Sequence, residues 1–135
     1  MIQAFERAHR AGQRAFNEGD FQHAFAGLAP DVQWHLLPSL FETGVLHGRA
    51  EAVRYFSSVL DGMAWKVEAI EFVDAGRGRV VVHQRGVATG RTTNISDTVD
   101  FFQVWELRDD GLVARIREYE TQDEALAAAA EATNH

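Results

Sequence analysis

The chain has 135 residues, with 13 Lys or Arg against 20 Asp or Glu, for a formal net charge of −7. That length suits one domain able to close a core by packing alone, and the absence of cysteine removes disulfides, thiolate catalysis and thiolate metal sites. The acidic balance argues against a nucleic-acid partner and against an anionic membrane face, since both need a concentrated basic surface.

The N-terminus "MIQAFERAHRAG" is broken by charges, so it lacks the apolar stretch of a secretory signal, and no run in the chain approaches a membrane span. A cytoplasmic protein is the expectation. From Ile2 to Glu18, Phe5, Ala8, Gly12 and Phe16 recur at helical spacing. Gly19 suits the end of that helix. Asp20 then suits the cap of a short second helix carrying Phe21, Ala24, Phe25 and Leu28.

After Pro30, the run Val32 to Leu37 reads as a short strand with Val32, Trp34 and Leu36 on its core face and Gln33, His35 and Leu37 opposite. Residues 38 to 48 read as a loop, apolar enough at Leu40, Phe41, Val45 and Leu46 to cover something. Gly48 precedes a third helix with Val53, Phe56, Ser57 and Leu60 on one face. Four extended runs follow from Trp65, separated by "AGRG", "GRTTN" and "RDDG", which are turn chemistries that suit an antiparallel meander. Thr121 and Glu124 have capping-box spacing at the head of an alanine-rich terminal helix. Helices gathered before a meander predict an α+β fold, in a single domain over residues 1–135.

The chain resembles the nuclear transport factor 2-like superfamily, and within it the SnoaL-like proteins related to polyketide cyclases and ketosteroid isomerases. Four stretches carry the resemblance in the family's order: "FNEGDF", "PDVQWH", "HGRAEAVRYF" and "FFQVWELRDDGLVARIREYETQDEAL". It implies a cystatin-like α+β barrel, in which a cone-shaped antiparallel sheet and the N-terminal helices enclose an apolar small-molecule pocket. It also implies a homodimer. On this reading Trp34, Phe56, Phe101, Trp105 and Ile116 wall one cavity, and Leu40 and Phe41 cap its mouth.

Candidate chemistry lies on the long strands. His83 and Arg85 share a face, where a near-neutral base beside a cation suits proton abstraction from a carbonyl compound; the same face turned outward makes them interface or solvent residues. Ala114, Ile116 and Glu118 alternate with Val113, Arg115, Arg117 and Tyr119. A concave wall made of the first set leaves Glu118 as an acid in an apolar cone, whereas the other reading pairs it with an arginine. Gln103 lies in phase with Val99, Phe101 and Trp105 and is either an orienting amide or a sheet-edge residue. Asp100 is out of phase with them, and a bulge would reverse that.

By resemblance, epoxide hydrolases of the superfamily use an arginine and an aspartate two residues apart, but here Arg85 is followed by Gly86 and Val87. An isomerase or cyclase therefore leads, with Glu118, His83 and Asp100 as candidate acids and bases. A non-catalytic binding or dimerisation module is the alternative, and an epoxide hydrolase the weaker one. The histidines at 9, 23, 35, 47, 83 and 135 show no helical pair four apart, so no metal is expected. Proton transfer needs no dissociable cofactor. Arg115, Arg117 and Tyr119 are expected at a sheet-to-sheet dimer interface or its rim.

Overall fold

A computed structural model describes residues 2–38, 44–60, 63–90 and 96–131. Helix α1 (Ile2–Asn17) ends at Gly19, which takes the left-handed φ of 79° that a side chain would resist. The Asp20 carboxylate then accepts from His23 N and starts the one-turn helix α2 (Phe21–Ala24). Phe16 packs edge-on against Phe21 and Phe56, with ring centroids 5.3 and 5.5 Å away.

Strand β1 (Leu28–His35) begins four residues before the expected Val32, carrying Pro30 and an irregular register between Leu28 and Gln33. Leu36 and Leu37 lie beyond its end, yet both are buried. The segment expected as pure loop contains a short strand, β2 (Val45–His47), which pairs Leu46 with Trp34. Three residues show too little alternation to reveal themselves in sequence. Helix α3 (Arg49–Val59) buries Ala52 and Phe56, with Leu60 buried just past its end. The expected face holds at Phe56 and Leu60, with Val53 partly buried against the core, but Ser57 is exposed and bonds back to Val53 O at 2.7 Å.

Strands β3 (Met63–Gly76), β4 (Arg79–Gly90), β5 (Ser96–Leu107) and β6 (Val113–Tyr119) form the expected antiparallel meander. Helix α4 (Gln122–Ala130) follows, opened by the Thr121–Glu124 capping box. Among the described residues the sheet runs β2-β1-β6-β5-β4-β3, and one pairing departs from the antiparallel pattern, because β1 joins β6 in parallel. An extra residue, Ile70, bulges from β3, and another, Ala114, from β6. The second bulge brings Val113 into phase with Ile116, so Val113 is buried on the inner face rather than alternating away from it.

The sheet has two covered faces. Helices α1 to α3 close the inner one over Trp34, Phe56, Trp65, Phe101 and Ile116, while α4 lays Ala125, Ala128 and Ala129 on Val81 and Val104 of the outer one. Trp65 lies so close over β4 that a Cβ on Gly86 would sit 2.1 Å from its indole. Along the open edge of β3, α1 supplies side chains where a neighbouring strand would otherwise bond. Asn17 exchanges two bonds with Val67 at 2.9 and 3.0 Å, Gln13 accepts from Ala69 N at 2.9 Å, and Arg10 donates to Ala69 O at 3.4 Å.

Candidate ligand-binding site

The inner face and the helices enclose a cavity of about 980 Å³, within the range of small-molecule sites. Phe16, Phe25, Trp34, Phe56, Phe101 and Trp105 wall it, and its outer end reaches the exposed residues Arg77, Arg108 and His23. Of the expected wall residues, Trp34, Phe56, Phe101 and the half-buried Trp105 line the cavity, whereas Ile116 is fully buried in the same core cluster without lining it. Ile116 stands between Trp34 and Trp105 in the sheet register. Leu40 and Phe41, expected at the mouth, lie outside the described residues.

Glu118 projects into this apolar space from β6. Among the described residues its carboxylate accepts three bonds: Trp34 Nε1 at 3.0 Å and Gln103 Nε2 at 2.8 Å on Oε2, and Leu37 N at 3.0 Å on Oε1. Burial raises its pKa, because charge is costly away from water, and the three donors oppose that rise without cancelling it. The reading of Glu118 as paired with an arginine is replaced by this neutral donor set. A carboxylate oxygen offers two in-plane lone pairs. Among the described residues Oε2 accepts two bonds and Oε1 one, which leaves a lone-pair position on Oε1 unengaged.

Gln103 is buried on an inner strand of the sheet, not at its edge. It donates to Glu118 while its Oε1 accepts from Trp105 Nε1 at 2.8 Å and Gln84 Nε2 at 2.9 Å. Gln84 accepts in turn from Gln13 Nε2 at 2.9 Å, and its Nε2 lies 3.0 Å from His9 Nε2. A polar line thus crosses the cavity floor from α1 to β6. Burial, then the charge of Arg10, lowers the His9 pKa to about 4, so the ring is neutral at physiological pH.

Gln13, Gln84 and His9 escaped the sequence reading of the site. Their signals were present: His9 stands four residues after Phe5 and three before Gly12, on the buried stripe of α1, and Gln84 shares a strand face with the buried Val82.

His83, Arg85 and Asp100 require correction. The β4 register sets Gln84 opposite Ala69 and Phe101, facing inward, so His83 and Arg85 face outward. The β4–β5 ladder runs unbroken past Asp100, without the bulge that would have turned it in. Arg85 grips Asp100 with two bonds at 2.8 and 3.2 Å, and His83 lies 3.3 Å from the same carboxylate and stacks on Phe102 at 4.5 Å. The Arg85 hydrogen bond is the main cause holding the Asp100 pKa below the usual range. These three form an outer-face ion cluster across the sheet from Glu118. Among the described residues no three His, Asp or Glu side chains converge as a metal site would require.

Solved structures share this architecture. A protein of unknown function from Burkholderia pseudomallei K96243, described as NTF2-like, is 25% identical, with 93% of this chain covering 97% of that one at a TM-score of 0.71. TerC, crystallised with polyporic acid, is 22% identical over 90% of this chain and 96% of its own, with a TM-score of 0.72. The Δ5-3-ketosteroid isomerase of a Mycobacterium species is 17% identical over 87% and 92%, with a TM-score of 0.67. No curated protein matches the chain in sequence. Residues 9–116, which include β1, α3, the meander as far as Ile116 and every wall residue named above, match the SnoaL-like domain; the chain belongs to that family.

Proposed function

We propose that this protein binds an apolar carbonyl compound in the inner cavity and that Glu118 moves a proton on it, as an isomerase or cyclase does. The observation that carries this reading is a buried carboxyl group set among aromatic, aliphatic and amide side chains of the cavity, whereas Asp109, also on the lining, is exposed; the Glu118 pKa is raised and one position on Oε1 is unengaged among the described residues. In that role Oε1 takes a proton from the carbon next to the carbonyl, and the C–H electron pair moves to the carbonyl oxygen as an enolate. The proton then returns to a second carbon, or the enolate carbon adds to a second carbonyl of the same ligand, whose C=O π pair moves to its oxygen and takes the proton back from Glu118. The likeness to a ketosteroid isomerase and to a protein crystallised with polyporic acid supports the chemical class of the ligand.

A second reading, a non-catalytic binding module, is favoured by the same three donors, which hold the carboxylate as a fixed anchor. The epoxide-hydrolase reading loses support, since Arg85 and Asp100 bond each other on the outer face. We further propose a single SnoaL-like domain acting as a cytoplasmic homodimer. Arg115 and Arg117, both half-buried on the outer face around Glu106, support an interface there; a monomer by light scattering at micromolar concentration counts against it.

Deuterium exchange next to the carbonyl of simple β,γ-unsaturated ketones and 1,3-diketones separates the two readings. Exchange that is catalysed by the parent and lost in Glu118→Gln supports the enzyme, and saturable binding of those ketones without exchange supports the module.

A further inference from the structure

The glutamine line has a fixed polarity, and that polarity dictates the tautomer of His9. Ala69 N can only donate, so the group receiving it is Gln13 Oε1, and the other terminus of Gln13 is the NH₂ that donates to Gln84 Oε1. Gln84 therefore presents its NH₂ to both Gln103 Oε1 and His9 Nε2. The opposite end gives the same answer independently. The indole of Trp105 can only donate, which fixes Gln103 Oε1 as acceptor and leaves the Gln103 NH₂ for Glu118. An NH₂ directed at His9 Nε2 makes that nitrogen an acceptor, so the neutral ring carries its proton on Nδ1.

That Nδ1 is buried and has no hydrogen-bond partner among the described residues. The ring lines the cavity, with Phe5, Phe72 and Trp105 around it at centroid distances of 5.7, 5.2 and 4.9 Å. A buried N–H without an acceptor is destabilising, and native proteins keep few of them without a reason. Arg10, the charged neighbour on α1, is directed elsewhere, to Ala69 O and over the Phe72 ring at 5.0 Å. The donor on offer is thus an uncharged one.

We propose that His9 Nδ1–H donates to an oxygen of the bound ligand, so that the cavity selects uncharged molecules bearing a carbonyl or hydroxyl oxygen on an apolar body. The inference rests on the cavity being the ligand site. Glu118 and His9 then divide the work: the first handles a proton, and the second holds the oxygen that gains electron density when the proton leaves. His9 sets specificity, because a neutral donor favours a carbonyl or enol over a phosphate or sulfate.

The test begins without a variant. Long-range proton–nitrogen correlation spectra of the parent protein at neutral pH should show Nδ1 of His9 protonated and Nε2 bare; a protonated Nε2 overturns the proposal. The probes are 2-acetonaphthone, whose oxygen can only accept, and 2-isopropenylnaphthalene, the same shape without the oxygen. The parent should bind the ketone about tenfold more tightly, equivalent to one good hydrogen bond, with the His9 Nδ1 proton moving downfield. His9→Phe, which keeps a ring among the aromatic neighbours, should bind the two probes equally. If the indole protons of Trp34 and Trp105 shift with the ketone while His9 Nδ1 does not, the cavity stands and the role of His9 falls. If neither shifts, the cavity reading falls and this inference with it.

Discussion

The indole of Trp34 and the carboxylate of Glu118, 84 positions apart in the chain, meet at 3.0 Å because β1 and β6 lie side by side in parallel, with Trp34 opposite Ile116. The bond joins two strands that no turn connects. Trp34→Phe keeps the ring bulk and removes the donor, leaving a buried acceptor short of one partner. It should cost about 1–3 kcal/mol of stability by denaturant titration and push the Glu118 pKa higher still, displacing the acidic limb of any rate profile toward higher pH.

Glu118→Gln removes the acid at nearly constant shape. For a general base the rate should fall about a hundredfold to ten-thousandfold with little change in ketone affinity. Turnover unchanged by the substitution would remove Glu118 from the chemistry.

The two buried titrating groups act on stability with opposite signs. Glu118 has a raised folded pKa, so the folded state holds its proton more tightly than the unfolded chain, and stability relative to Glu118→Gln should fall as pH rises from the ordinary glutamate range through the folded value. His9 has a lowered pKa of about 4, so its contribution is full above the ordinary histidine value and is lost as pH falls toward 4. The loss amounts to about 3 kcal/mol, and it should be absent from His9→Phe. Denaturant titrations of parent and variants between about pH 4 and pH 8 measure both slopes. A pH-independent difference from either variant contradicts the corresponding assignment.

Gly86→Ala forces a Cβ into the Trp65 indole, whose nearest atom would stand 2.1 Å away. Trp65 must move, and the expected cost is about 1–3 kcal/mol, with a change in its near-ultraviolet circular dichroism. A substitution without effect on either signal would mean that the indole is not held over β4.

Asp100→Asn tests the outer cluster. Its partners Arg85 and His83 are across the sheet from the cavity and the pair is exposed, so stability should change by less than about 1 kcal/mol. Ketone binding should be unaltered. A loss of binding comparable to that of Glu118→Gln would return these residues to the site.

The elements were legible where periodicity ran long: α1, the meander and the capped α4 each repeat their pattern over many residues. The phase of Glu118 and Gln103 followed from simple alternation, because β5 is regular from Ser96 to Glu106. What alternation cannot decide is which face of β4 turns inward, since Val81 and Val82 are equally apolar and both are buried, one under α4 and the other under α1. That ambiguity placed His83 and Arg85 with the candidates and hid Gln84. Val113 and β2 were missed for a different reason, a one-residue bulge and a three-residue strand being too short to alter a pattern.

The three α1 side chains bonded to Val67 and Ala69 also act on the unfolded-to-folded competition between molecules. β3 is a 14-residue edge, long enough to template an added strand from another chain, and Arg10, Gln13 and Asn17 occupy the donors and acceptors such a strand would use. Replacing all three by alanine should leave the cavity walls in place but make the protein self-associate through β3, with slow growth of thioflavin-positive polymers at concentrations where the parent stays dispersed. Gln13 belongs to both systems, so the helix that protects the sheet edge from polymerisation is the same one that orders the cavity floor.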